Sequence, residues 1–130
     1  MPIHYQIDPS RCELFVRISG AVSDRELLDE VERILNDPLL PQAPRVMWDA
    51  RERDDVPSSN VIAPLLDLLR PRESSLRGGR CALVTSQTAS FGMQRMFTFR
   101  SDSLPVEFQA FRDLEEARSW LEDSGANGAA

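Results

Sequence analysis

The chain contains no lysine and only one histidine, His4; all fifteen of its cationic side chains are arginine. Without lysine there is no amine for a Schiff base and no lysine for a phosphate-binding P-loop. A single imidazole also argues against a zinc site built on several histidines. Twenty-one carboxylates outweigh the arginines, leaving a net charge of −6 and a pI near 4.8. That balance makes the chain a poor general binder of nucleic acid, which needs clustered positive charge. Cysteine is scarce as well: Cys12 and Cys81 form no CxxC or metal-ligand spacing and are expected to be small buried thiols. No apolar run approaches the ~18 residues of a membrane span, and the first residues carry neither a basic nor an apolar leader segment. A cytoplasmic location is therefore expected. What remains, 130 residues with 42% hydrophobic and 28% charged side chains, is the composition of a single globular domain.

The hydrophobic pattern changes period along the chain. Ile3, Tyr5 and Ile7 alternate with polar residues, and after Asp8-Pro9-Ser10-Arg11 the alternation resumes as Cys12, Leu14, Val16 and Ile18, which predicts an antiparallel hairpin. Ser23 and Glu26 have capping-box spacing, and Leu27, Leu28, Val31, Ile34 and Leu35 form the apolar stripe of a helix stopped at Asn36-Asp37-Pro38. A short strand is expected at Arg45 to Asp49, and a helix from about Val61 to Leu69 whose start is constrained by Pro64. The stretch from Arg70 through Gly78-Gly79 reads as a loop. Cys81 to Val84 is apolar on both parities, as in a strand covered on both faces. A helix containing Ala89, Met93, Met96 and Phe97 follows, then a strand at Val106 to Phe111 and a helix from Asp113. Residues 123–130 are expected to be a flexible tail to a domain spanning 1–122.

The resulting β-β-α-β-α-β-α-β-α order predicts an α/β sandwich with a five-stranded sheet, parallel except for one antiparallel strand from the opening hairpin. In such sheets the functional crevice lies beyond the carboxyl ends of the parallel strands. The candidate crevice residues are Asp49, Ser58, Ser59, Asn60, Ser86 and Thr88.

Several other groups carry residue types capable of chemistry. Asp49, Glu52, Asp54 and Asp55 crowd four carboxylates together, but Arg51 and Arg53 are interleaved with them, the pattern of a solvated loop neutralising itself. Arg70, Arg72, Arg77 and Arg80 gather around Glu73 and could hold an anion, although they fall at the amino ends of strands, opposite the crevice. His4 and Cys81 sit on strands and faces that should not meet, so no nucleophile-base pair and no catalytic or metal-binding residue is expected, nor any cofactor. Phe91, Met93, Met96, Phe97 and Phe99 place more apolar bulk on one helix than a single packed face needs. They suggest either an interface for a protein partner or a second subunit, or the wall of an apolar ligand pocket.

With Trp48-Asp49 closing one strand and Pro57-Ser58-Ser59-Asn60 opening the next helix, the chain resembles the STAS domains typified by the SpoIIAA-like anti-sigma factor antagonists. The segments Phe91 to Phe97 and Phe111 to Ala117 are similar to an uncharacterised bacterial SpoIIAA-like branch, itself likened to CRAL-TRIO lipid-transfer domains. In the antagonists an Asp-Ser-Ser-Gly motif follows the aspartate-ending strand, and its first serine is phosphorylated by an anti-sigma kinase. Here Pro57, Ser58, Ser59 and Asn60 occupy those positions, keeping both serines and losing the flanking aspartate and glycine. The resemblance implies a non-enzymatic regulatory or protein-interaction domain, docking a protein partner or a second copy of itself as a homodimer, with Ser58 as the phosphorylation candidate; the alternative is a small-molecule or lipid-binding module with its pocket beneath the helix at 91–99.

Overall fold

The computed structural model describes the backbone of residues 2–129 and the side chains of residues 2–122. The tail expected at 123–130 lies outside the residues whose side chains are described. Strands β1 (Ile3–Asp8) and β2 (Glu13–Gly20) form the expected hairpin, joined by a 3-10 turn at Pro9–Arg11, with Ile3 opposite Ile18 and Asp8 opposite Glu13. Helix α1 (Asp24–Leu35) starts on a complete capping box: Glu26 N–H donates to Ser23 Oγ at 3.1 Å, and Ser23 N–H donates to Glu26 Oε1 at 3.0 Å. Strand β3 (Arg45–Arg53), helices α2 (Ile62–Leu69) and α3 (Glu73–Leu76), strand β4 (Arg80–Val84), helix α4 (Thr88–Arg100), strand β5 (Glu107–Phe111) and helix α5 (Leu114–Ala129) follow.

The strands lie in the order β1-β2-β3-β4-β5, with β1 antiparallel and the other pairs parallel. Alternation decides which residue faces which layer. Val46 and Trp48 of β3 join the cluster that includes Val16 and Ile18 of β2 and Val31 and Ile34 of α1, whereas Met47 joins Ala82, Val84, Phe111 and Ala117 beneath α5. Helices α1, α2 and α4 thus cover one face of the sheet, and α5 covers β3 to β5 on the other. The register brings the amino end of β4 so close to the chain at Pro44 that a Cβ on Gly79 would stand 2.7 Å from the Pro44 carbonyl oxygen. Only glycine fits there.

Three expectations change. Residues 50–53 belong to β3 and not to a loop: the strand runs on past Asp49 because Ser19 and Gly20 pair with Glu52 and Arg53 across a register shift. Their charges had hidden the alternation. The stretch after Leu69 is helical, a 3-10 turn at Arg70–Arg72 leading into α3. Its arginines are dispersed into tethers: Arg72 bonds the Leu35 carbonyl and the Asn36 side chain, and Arg80 pairs with Glu107 at 3.0 Å while lying 4.8 Å from the Trp120 ring centre. Finally, Cys12 is exposed in a left-handed turn conformation, and only Cys81 is a buried thiol.

Candidate functional site

The carboxyl ends of the parallel strands converge where the crevice was expected, and their polar side chains are bound to one another. Arg53, at the end of β3, is only 6% exposed because its guanidinium turns inward. Its Nε donates to Asp55 Oδ1 at 2.7 Å and its Nη2 to the Val22 carbonyl at 2.8 Å, while the Val22 N–H donates back to the Asp55 carboxylate at 3.3 Å. The hydrogen bond from Arg53 holds the Asp55 carboxyl below its ordinary range. On the other face of β3, Asp49 is buried and receives two guanidinium bonds from Arg51, at 2.9 and 2.8 Å, plus the Arg51 backbone N–H at 3.1 Å. Burial pushes the Asp49 carboxyl up, but these donors more than offset it, leaving it below the usual carboxylate range.

The remaining crevice candidates separate. Ser86 donates to the Arg51 carbonyl at 3.1 Å, and the neighbouring Gln87 amide donates to the Arg53 carbonyl at 2.9 Å. Thr88 is exposed and opens α4. The half-buried Ser58 hydroxyl accepts the Asn60 N–H at 3.1 Å and so caps the 3-10 turn at Ser59–Val61 that leads into α2, with Ser59 and Asn60 exposed. His4 is exposed on edge strand β1, with β2 and β3 between it and the buried Cys81 of β4. Burial alone pushes the Cys81 thiol up to about 12. Iodoacetamide at neutral pH is expected to label Cys12 and leave Cys81 untouched until the protein is denatured; mass mapping that finds both labelled in the native state would contradict this placement.

Helix α4 divides the apolar residues of 91–99 between two roles. Met96 is 43% and Phe99 83% exposed, both on its outer side. Phe91 lies half-buried with the Arg112 guanidinium 5.8 Å from its ring centre. Met93 and Phe97 face inward and line a cavity of about 180 Å³ between the sheet and helices α1, α2 and α4. Leu14, Trp48, Cys81 and Leu83 form its floor, Val31 and Leu65 part of its roof, and Pro57 also borders it.

Three polar side chains interrupt this apolar lining: Arg53, Ser90 and Gln94. Gln94 is 8% exposed, and its Oε1 has no hydrogen-bond partner among the described residues. Sequence reading passed over Ser90 and Gln94, although helical spacing from Met93 and Phe97 places both on the inner face of α4. Arg53 was missed for another reason, since its alternating acidic neighbours imitate a solvent-exposed loop.

Among the described residues no group of three His, Cys, Asp or Glu side chains is placed to hold a metal ion, and no helix is long and apolar enough to cross a membrane. No family model and no curated protein matches this sequence. Among solved structures, the chain is similar to an uncharacterised protein of the DUF3478 family from Shewanella loihica PV-4, described as having a SpoIIAA-like fold. The two are 19% identical and superpose with a TM-score of 0.57 over 92% of this chain and 93% of the other. With its mixed five-stranded sheet and alternating helices, the chain therefore has the SpoIIAA-like α/β fold.

Proposed function

We propose that this SpoIIAA-like domain is a non-catalytic binding module that takes up a small, largely apolar ligand in the cavity beneath α4. The observation that carries this reading is the cavity itself. Protein interiors close-pack and keep few gaps larger than a water molecule, so about 180 Å³ of partly open apolar space beneath α4 leaves apolar surface that a bound ligand would cover. The strand-end groups support a non-catalytic role because they are engaged in holding the fold. Arg53 closes on Asp55, Asp49 on Arg51, and Ser86 and Gln87 on backbone carbonyls.

A second reading, docking of a protein partner or of a second subunit, draws on the exposure of Met96 and Phe99 on the outer side of α4. Ser58 phosphorylation would belong to that regulatory reading. A phosphate there would replace a hydroxyl cap beside the start of α2, next to Pro57 at the cavity edge.

Native mass spectrometry of the protein purified from its own host without detergent distinguishes these readings in one spectrum. A monomer carrying a small non-covalent adduct is expected. A ligand-free dimer, or a monomer with an added phosphate at Ser58 and no adduct, would favour the regulatory reading. Thermal denaturation supplies a second check: indene at ten times its dissociation constant should stabilise the fold by about 1.4 kcal/mol, raising Tm by roughly 5 °C. An unchanged Tm at every indene concentration would remove the cavity proposal.

A further inference from the structure

We infer that the cavity ligand is a compact, neutral ring compound with one N–H or O–H donor, and that Gln94 Oε1 is the acceptor that recognises it. The inference rests on the binding reading above and adds the chemical class of the ligand. Its first support is the unpaired oxygen. Buried carbonyl oxygens are almost always hydrogen-bonded, because one withdrawn from water without a partner loses its solvation for nothing. Gln94 is more than nine-tenths buried and borders the cavity, and its Oε1 is closed off and without a partner among the described residues, so that a rotation of the terminal amide would turn this acceptor toward a ligand. A leucine or methionine at this position would fill the same helix face without that cost.

Size and charge narrow the class further. A cavity of 150 Å³ accommodates benzene, so about 180 Å³ fits a single ring with a substituent or a small fused bicycle. Among the described residues Arg53 is the only charged side chain in the lining, and its guanidinium is already matched by Asp55 and the Val22 carbonyl. A carboxylate ligand would have to displace Asp55. An ammonium ligand would find no countercharge against an otherwise apolar wall. A neutral donor avoids both penalties, and Gln94 on α4 has the complementary acceptor.

The probes are indole and indene, which have nearly the same shape and differ in replacing an N–H by a CH2. Isothermal titration of the full chain gives the ratio of their affinities in the wild type and in Gln94→Met. Because the hydrogen bond is counted only through the change in this ratio, differences in probe hydration cancel. Wild type should favour indole over indene about tenfold more strongly than Gln94→Met does, the effect of one net hydrogen bond. An equal ratio in the two proteins, with both probes bound, overturns the donor inference and leaves the binding module intact; failure of both probes to bind overturns the module as well. Should Gln94→Met not fold, 15N-labelled indole on the wild type decides the matter. A downfield, exchange-protected N–H signal is the expected result, and a signal unchanged from free indole overturns the assignment.

Discussion

Cys81→Leu is expected to stabilise the fold while weakening indene binding by about 10–100-fold. Cys81 is buried in the interior strand β4 and lines the cavity floor, with helices α2 and α4 across the void. Empty apolar space of about 180 Å³ beneath α4 forfeits the packing contacts that would fill it. A leucine branching from the floor takes up part of that space and restores dispersion contacts, for a gain of about 1–2 kcal/mol and a Tm increase of roughly 5 °C. The same atoms then occupy the ring site, and overpacking a ligand against them costs ~1–3 kcal/mol of affinity. The opposite signs make the test specific, because a substitution that merely damages the fold lowers both quantities. Calorimetry that shows undiminished indene affinity in a stabilised Cys81→Leu protein would place the ligand elsewhere.

Arg51→Ala should cost about 2–3 kcal/mol at neutral pH, and the cost should shrink on acidification. Asp49 has a side chain only 6% exposed, and the Arg51 guanidinium gives it two of its three donors. Removing one partner of a buried pair strands the other charge, typically at ~3–5 kcal/mol; the lower figure applies here because Arg51 itself is 42% exposed. The pH dependence follows from linkage. In the wild type the Asp49 carboxyl is depressed, so its contribution is present above the ordinary carboxylate pKa and is lost as pH falls through the folded value. Without Arg51 the burial that already pushes Asp49 upward acts with much less opposition, and its folded pKa rises above the unfolded one. The variant then loses stability as pH rises through that window. Denaturant midpoints for the two proteins should therefore converge as pH falls below the ordinary carboxylate range and stand apart at neutral pH. A gap independent of pH would mean that Arg51 stabilises β3 by packing and not through the charge of Asp49.

The elements whose hydrophobic period is uninterrupted are legible in the sequence. The β1-β2 hairpin alternates cleanly, α1 announces its start with Ser23 and Glu26, and the doubly apolar Cys81 to Val84 run marks an interior strand. Together they define the mixed α/β sheet and direct attention to its carboxyl end. Legibility failed where a residue's environment is supplied by a distant segment. Arg53 is buried because Val22 and Asp55 meet it, and no local pattern announces a guanidinium folded inward. The 70–76 stretch becomes helical while Arg72 bonds the end of α1, a contact that local charge clustering conceals.

The candidate site divides in the same way. The sequence alone determined that 91–99 carries too much apolar bulk for one packed face, that Ser58 opens a helical segment, and that lysine chemistry and multi-histidine metal sites are excluded. Tertiary structure decided that Met93 and Phe97 enclose a cavity while Met96 and Phe99 meet solvent, and that Gln94 lies within its wall. The physical reason is that helical periodicity specifies which side chains share a face, whereas the presence of a void behind that face depends on how closely α1, α2 and α4 approach the sheet. That spacing is set by side chains far apart in the chain, and periodicity along one segment carries no record of it.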